Sequence, residues 1–227
     1  MNAFGSVLKG LDWIYLGDLL LQIIPALLCI MIHEISHGAA AYALGDRTAA
    51  AQGRLSLNPL RHIDWFGLLM LVLFHFGWAK PVNVNPRNFR HPKRDMALTA
   101  LAGPMSNFVL AALSLFLFGL LMPRLIDRAG GEYVLDLLNT MAYLSVVLGL
   151  FNLIPFPPLD GSKVLFAFLP DRAYARAMRL ERYGMLVLIV LVILMNRLLP
   201  VSPITKASQA VYEAFFRIAE FAYALVK

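Results

Sequence analysis

The run His33-Glu34-Ile35-Ser36-His37 sets two imidazoles four residues apart with a carboxylate directly after the first. Side chains four apart lie on one face of a helix, so both rings can reach one Zn²⁺ at about 2.0–2.1 Å. Glu34 then stands beside the metal rather than on it, where it can accept a proton from an attacking water. The run lies inside the apolar stretch from Leu19 to Gly45. Placing three polar side chains there costs several kcal/mol even on lenient insertion scales, which marks them as functional. The blander alternative is a proton relay or a polar cluster that packs helices together.

Catalytic zinc takes three protein ligands and leaves one position open. His62, His75 and His91 fall in no spaced motif. His62 and His91 sit in basic loops and read as solvated or interfacial, and His75 reads as a packed histidine on an apolar face. A better third ligand lies in Asn152-Leu-Ile-Pro-Phe-Pro-Pro-Leu-Asp160-Gly161. Three prolines in four residues end a helix, and unwound backbone at membrane depth is tolerated only where it is buried in protein or lines a watery cavity. Asp160 would supply a carboxylate oxygen there, with Gly161 letting the chain turn close beside it. The alternative is a helix end with a solvated aspartate.

Composition says what must hold these groups. The 227 residues are 59% hydrophobic and 15% charged, against roughly 45–50% and about 25% in a soluble domain. A single globule could not hide so much apolar surface, and disorder is excluded by the same figures. Cys29 is the one cysteine, so neither a disulfide framework nor a thiolate cluster is available. The net charge of +6 reads as basic cytoplasmic loops rather than a nucleic-acid surface. The N-terminal segment, with Lys9 its one basic residue, does not read as a removable signal peptide.

Four stretches suit membrane crossing: Leu19–Gly45, Ala97–Met122, Leu137–Phe156 and Tyr183–Pro200. Trp65–Trp78 is apolar but short, which predicts a re-entrant segment. The tail from Ser202 to Lys227 spaces its polar residues three and four apart and predicts an amphipathic helix, with a place on the surface favoured over an extra span. The expected fold is thus an all-α multi-pass membrane bundle of about four to six membrane segments, with one re-entrant segment and a proline-broken core helix. It forms one domain over 1–227: a catalytic core at about 19–161, then a C-terminal span and amphipathic helix over 183–227.

Basic residues crowd 79–96 and 155–182, while 123–133 is balanced, which predicts the first two inside and the third outside. If His37 and Asp160 share a metal, Gly45 emerges inside and the N-terminus lies outside. Arg54-Leu-Ser-Leu-Asn58 alternates polar and apolar as a strand edge would and could pair with an extended substrate; an ordinary juxtamembrane loop is the alternative.

His-Glu-x-x-His, the later Asn152-x-x-Pro-x-Pro-x-Leu-Asp-Gly161 and the intervening Gly103-Pro104-Met105-Ser106-Asn107 together resemble the site-2 protease family of intramembrane zinc metalloproteases. The resemblance implies that His33, His37 and Asp160 bind Zn²⁺ and that Glu34 is the catalytic base. It suggests that Asn152 positions substrate backbone or transition state, and that Asn107 is structural. The implied activity is hydrolysis of peptide bonds within or near the membrane spans of other proteins, in the cell membrane. The family often carries a PDZ or nucleotide-sensing domain, and no segment here reads as either. A zinc or proton transporter is the competing class, yet the spans 97–122, 137–156 and 183–196 hold no ionisable side chain except tyrosine. An inactive binding protein of the same fold would not need Glu34. A CAAX-type protease would use a glutamate ligand on a helix.

Overall fold

The computed structural model describes residues 13–58, 61–62, 64–65, 67, 80–198 and 203–227. Helix α1 runs Trp13–Ala43 and is followed by the short α2, Thr48–Ala51. Residues 80–85 form an extended strap that leads into a 3-10 turn at Pro86–Asn88. Helix α3, Pro92–Leu125, turns back into α4, Gly131–Leu153. Beyond the prolines come α5 (Asp160–Ala167), α6 (Asp171–Leu180), a 3-10 turn at Glu181–Tyr183, α7 (Gly184–Leu198) and α8 (Pro203–Ala224). No strand occurs among the described residues. This is the expected all-α architecture.

Three described segments are long and apolar enough to cross a membrane: Ile23–Ala43, Pro92–Leu125 and Gly131–Leu153. The second, at 34 residues, would run about 50 Å against a hydrocarbon core near 30 Å. Its first turn, with Lys93, Arg94 and Asp95, can therefore stand clear of the lipid. Pro92 at the first helical position costs no hydrogen bond, and the Asp95 carboxylate accepts the His91 backbone N–H at 3.0 Å. The stretch Tyr183–Pro200, expected as a fourth span, holds α7, whose described part of 15 residues is shorter than the other three. The re-entrant segment expected at Trp65–Trp78 lies almost wholly outside the described residues, as does His75.

Helix α3 is the hub, packing on α1, α4, α5 and α8. Its buried residues Asp95, Thr99, Gly103, Asn107, Ala111, Leu115 and Gly119 recur every four positions. On α1, Cys29, His33, His37 and Ala41 do the same. Such i±4 ridges fit each other's grooves, and this register brings the centre of α3 onto the two histidines.

The tail departs from expectation. Helix α8 packs into the bundle instead of lying apart on its surface: Ala219 shares a core with Leu115 of α3 and Ala142 of α4, and Phe215 and Phe216 pack against it. Gly119 makes this possible, since a Cβ there would fall 2.1 Å from the Ala219 carbonyl oxygen. Small residues on both helices let the backbones close up, which a polar/apolar stripe does not reveal. The segment 54–58 is a loop and not a strand edge. Arg61 ties it to the Gly53 carbonyl, and His62 Nε2 lies 2.8 Å from the Ser56 carbonyl.

Candidate metal centre

One turn of α1 separates His33 from His37, and their rings meet edge to face with centroids 4.5 Å apart. Helix α4 stops at Leu153, and Ile154–Leu159 loops back around Pro155, Pro157 and Pro158, the Pro157–Pro158 peptide being cis. Asp160 therefore opens α5, in its first turn, rather than sitting on irregular backbone as the prolines suggested. There the helix dipole favours a carboxylate. Gly161 does allow a close approach: a Cβ at that position would lie 2.2 Å from the Leu153 carbonyl oxygen.

These elements bring three donor atoms together. His33 Nε2 and His37 Nε2 are 3.0 Å apart, and each is 3.1 Å from Asp160 Oδ2. All three residues are buried.

The chemistry of this donor set fits a divalent cation. His37 Nδ1 lies 2.7 Å from the Thr99 carbonyl oxygen, which can only accept, so Nδ1 carries the proton and the neutral ring presents an Nε2 lone pair. That lone pair faces a carboxylate oxygen and a second imidazole. Three electron-rich atoms at such range repel unless a cation joins them. Tetrahedral ligands on zinc bonds of about 2.0–2.1 Å stand roughly 3.3 Å apart, within a few tenths of an ångström of the triangle observed.

Asn107, fully buried, places Nδ2 3.1 Å from His33 Nδ1, while its own Oδ1 has no partner. It thus joins α3 to α1 through a ring of the donor cluster. Gly103 faces both rings: a Cβ there would come within 2.5 Å of His37 and 2.7 Å of His33. Thr99, Gly103 and Asn107 form one four-residue ridge on α3, a spacing visible in the sequence once α3 is set against α1.

A cleft of about 440 Å³ opens onto the cluster, lined among others by Glu34, Val82, Asn152, Lys163 and Glu181. Glu34 Oε2 accepts the Val82 backbone N–H at 2.8 Å. Asn152 lies on the cleft wall and donates Nδ2 to the Leu148 carbonyl at 3.0 Å. The strap that carries Val82 is anchored by Asp46, whose Oδ2 accepts Asn85 N–H at 2.7 Å and whose Oδ1 accepts Asn88 Nδ2 at 2.7 Å and Thr48 N–H at 3.0 Å. Burial opposes the Asp46 charge, but these hydrogen bonds with that of the Thr48 hydroxyl prevail and depress its pKa. Nothing local in the sequence pairs Val82 with Glu34 or Asp46 with Asn85.

Among the described residues, His62 and His91 take no part in the cluster. His91 is exposed at the head of α3, as expected. His62, read from the sequence as solvated or interfacial, is only 3% exposed, with its Nε2 against the Ser56 carbonyl oxygen.

The family pattern described as "Peptidase family M50" matches residues 126–195, a stretch that holds Asn152 and Asp160. The "Putative zinc metalloprotease YwhC" of Bacillus subtilis (strain 168) is 38% identical over 177 residues, covering 74% of this chain and 78% of that one. The chain belongs to peptidase family M50. A second relative, "Putative zinc metalloprotease Rip2" of Mycolicibacterium smegmatis, is 29% identical over 183 residues, covering 79% of this chain and 69% of its own. "Zinc metalloprotease RasP" of Bacillus licheniformis is 44% identical over a shorter 43 residues, 19% of this chain and 10% of that one. No solved structure matches. As an M50 member, the site-2 protease family, the protein is a zinc metalloprotease that acts on protein substrates, and its long apolar helices make it a membrane protein.

Proposed function

We propose that this M50 protease is an intramembrane endopeptidase of the cell membrane, cutting peptide bonds within or near the membrane spans of other proteins, and that 1–227 act as one membrane-embedded unit. One observation carries the reading. The triangle of donors from His33, His37 and Asp160, with edges of 3.0–3.1 Å, lies where α1 and α3, both apolar enough to span a bilayer, cross each other.

His33, His37 and Asp160 are the groups that would hold zinc. Bound there, the ion supplies Lewis-acid polarisation of the scissile carbonyl and a lowered pKa for its water. The Thr99 carbonyl fixes the tautomer of His37, and Asn107 braces His33. Glu34 is the general base: its carboxylate accepts a proton from the attacking water and returns it to the leaving amine. The Val82 N–H holds Oε2 and so leaves Oε1 for that proton. Asn152, its Nδ2 already engaged on Leu148, offers Oδ1 to an N–H of the substrate backbone. A helical substrate hides its own amides and carbonyls, so it must unwind before Asn152 can grip it.

The test is Glu34→Gln in the purified chain, reconstituted in liposomes with membrane proteins from the source cell. The amide is nearly isosteric and cannot take the proton. About one zinc per chain should remain, turnover should fall by at least about 10²-fold, and uncut membrane proteins should accumulate. Normal cleavage by Glu34→Gln would remove Glu34 from the mechanism. Cleavage confined to soluble proteins would end the intramembrane reading.

A further inference from the structure

Asp160 meets the two histidines through one oxygen only. Its Oδ2 is 3.1 Å from each Nε2, while Oδ1 faces Lys163 Nζ at 3.7 Å. The same ammonium lies 3.6 Å from Glu181 Oε1. Lys163 stands one turn beyond Asp160 on α5, and Glu181 sits on the 3-10 turn between α6 and α7. The lysine side chain is 24% exposed, so its charge is held largely inside the cleft wall.

Each of the three donor groups thus has a partner on its far side: the Thr99 carbonyl for His37, the Asn107 amide for His33, and the Lys163 ammonium for Asp160. The third partner bears on coordination number. A carboxylate can face a metal through one oxygen or both. The two-oxygen mode would take up the position that a hydrolytic zinc site keeps open. A cation beside Oδ1 makes that mode unfavourable, because Oδ1 would have to leave the ammonium to turn toward the metal. At 3.6–3.7 Å the lysine acts through its field more than through directed hydrogen bonds. Glu181 attracts the ammonium from the opposite side and keeps it from swinging out of the cleft.

We propose that Lys163 is a positioning residue of the zinc site: it holds Oδ1 of Asp160 away from the metal so that Oδ2 alone serves as ligand, and Glu181 holds Lys163 in place. This rests on the zinc-binding reading of His33, His37 and Asp160. It also ties the turn before α7 to the metal centre through two ion pairs.

Two measurements on the full detergent-solubilised chain test it: zinc affinity by chelator competition, and the visible spectrum with Co²⁺ in place of zinc. Four-coordinate Co²⁺ absorbs strongly and higher coordination weakly. Lys163→Met should raise zinc affinity, since it removes a cation beside the ligand carboxylate and admits a second oxygen donor, and should weaken the cobalt bands as Asp160 turns both oxygens inward. Lys163→Arg, which keeps the charge, should return both most of the way to wild type. Glu181→Gln should shift both in the same direction by less, and it carries the test if Lys163→Met does not accumulate folded. Wild-type affinity and an unchanged cobalt spectrum in Lys163→Met, or in Glu181→Gln where only that variant folds, would overturn the proposal. Failure of the zinc site itself looks different: the wild-type chain would then bind no zinc, or would bind it equally well after His33→Ala.

Discussion

Gly103 lies flat against His37, so close that a methyl group on its α-carbon would sit 2.5 Å from both Nε2 and Cε1 of the ring. The contact is made by the far end of a side chain and not by backbone, so the helices need not part to relieve it. The rings must move instead, and they are the groups proposed to hold zinc.

Gly103→Ala should therefore fold and lose zinc. In helix interiors the change from glycine to alanine is itself favourable by about 1 kcal/mol, so thermal stability of the metal-free chain should hold or rise. Zinc content measured on the same preparation should fall well below one per chain. A variant with full zinc would show that the histidines can shift without losing the metal.

Asn107 yields a second prediction. If His33 Nε2 binds the metal through its lone pair, Nδ1 carries the proton and needs an acceptor. Asn107 has one, since half a turn of its amide brings the unpartnered Oδ1 onto that N–H. Asn107→Asp keeps an acceptor and should keep zinc. Asn107→Leu, of similar size, should weaken zinc binding by about 10–100-fold in a chelator competition. Equal affinity of the leucine variant and wild type would return Asn107 to a packing role.

Much of this candidate site is legible in the sequence, and the reason is local geometry. His33 and His37 declare themselves because i, i+4 spacing is a property of one helix. The prolines at 155, 157 and 158 announce a break that leaves Asp160 free to face inward. What stayed hidden joins distant parts of the chain: Thr99 to His37 across 62 positions, Asn107 to His33 across 74, Val82 to Glu34 across 48. Those pairings depend on how α1, α3 and the strap cross, and no period within a single segment encodes a crossing. The tail misled for the same reason. Its apolar stripe says that it packs, while Gly119 and Ala219, which decide where, are 100 residues apart.

Orientation in the bilayer follows from charge and is open to labelling. In a Cys29→Ser background, cysteines at the exposed positions Asn88 and Arg172 should react from the cytoplasmic side, and one at Arg128 from the other. Helices α3 and α4, joined near Arg128, would then form one out-and-back pair. Labelling of all three from one side would mean that α3 or α4 does not cross.

Asp46 connects acid sensitivity to catalysis. Its carboxylate is completely buried and gathers Thr48, Asn85 and Asn88. The folded pKa is depressed below the ordinary 3.8, so the ionised form stabilises the fold. That contribution is complete well above pH 3.8 and disappears as pH falls below it through the depressed value. Asp46→Asn should remove this acid-dependent part of the stability curve. It should also cost about 1–3 kcal/mol near neutral pH, since an amide nitrogen would face N–H donors. The strap anchored by Asp46 is the one whose Val82 N–H holds Glu34, while no atom of Asp46 reaches His33, His37 or Asp160. Zinc content should therefore survive in Asp46→Asn while turnover drops by about tenfold, the low end of what loss of a supporting contact costs. The paired measurement is zinc per chain and cleavage rate on one preparation. Parallel loss of both would mean that the strap supports the metal cluster itself, and unchanged turnover would mean that Glu34 needs no help from Val82.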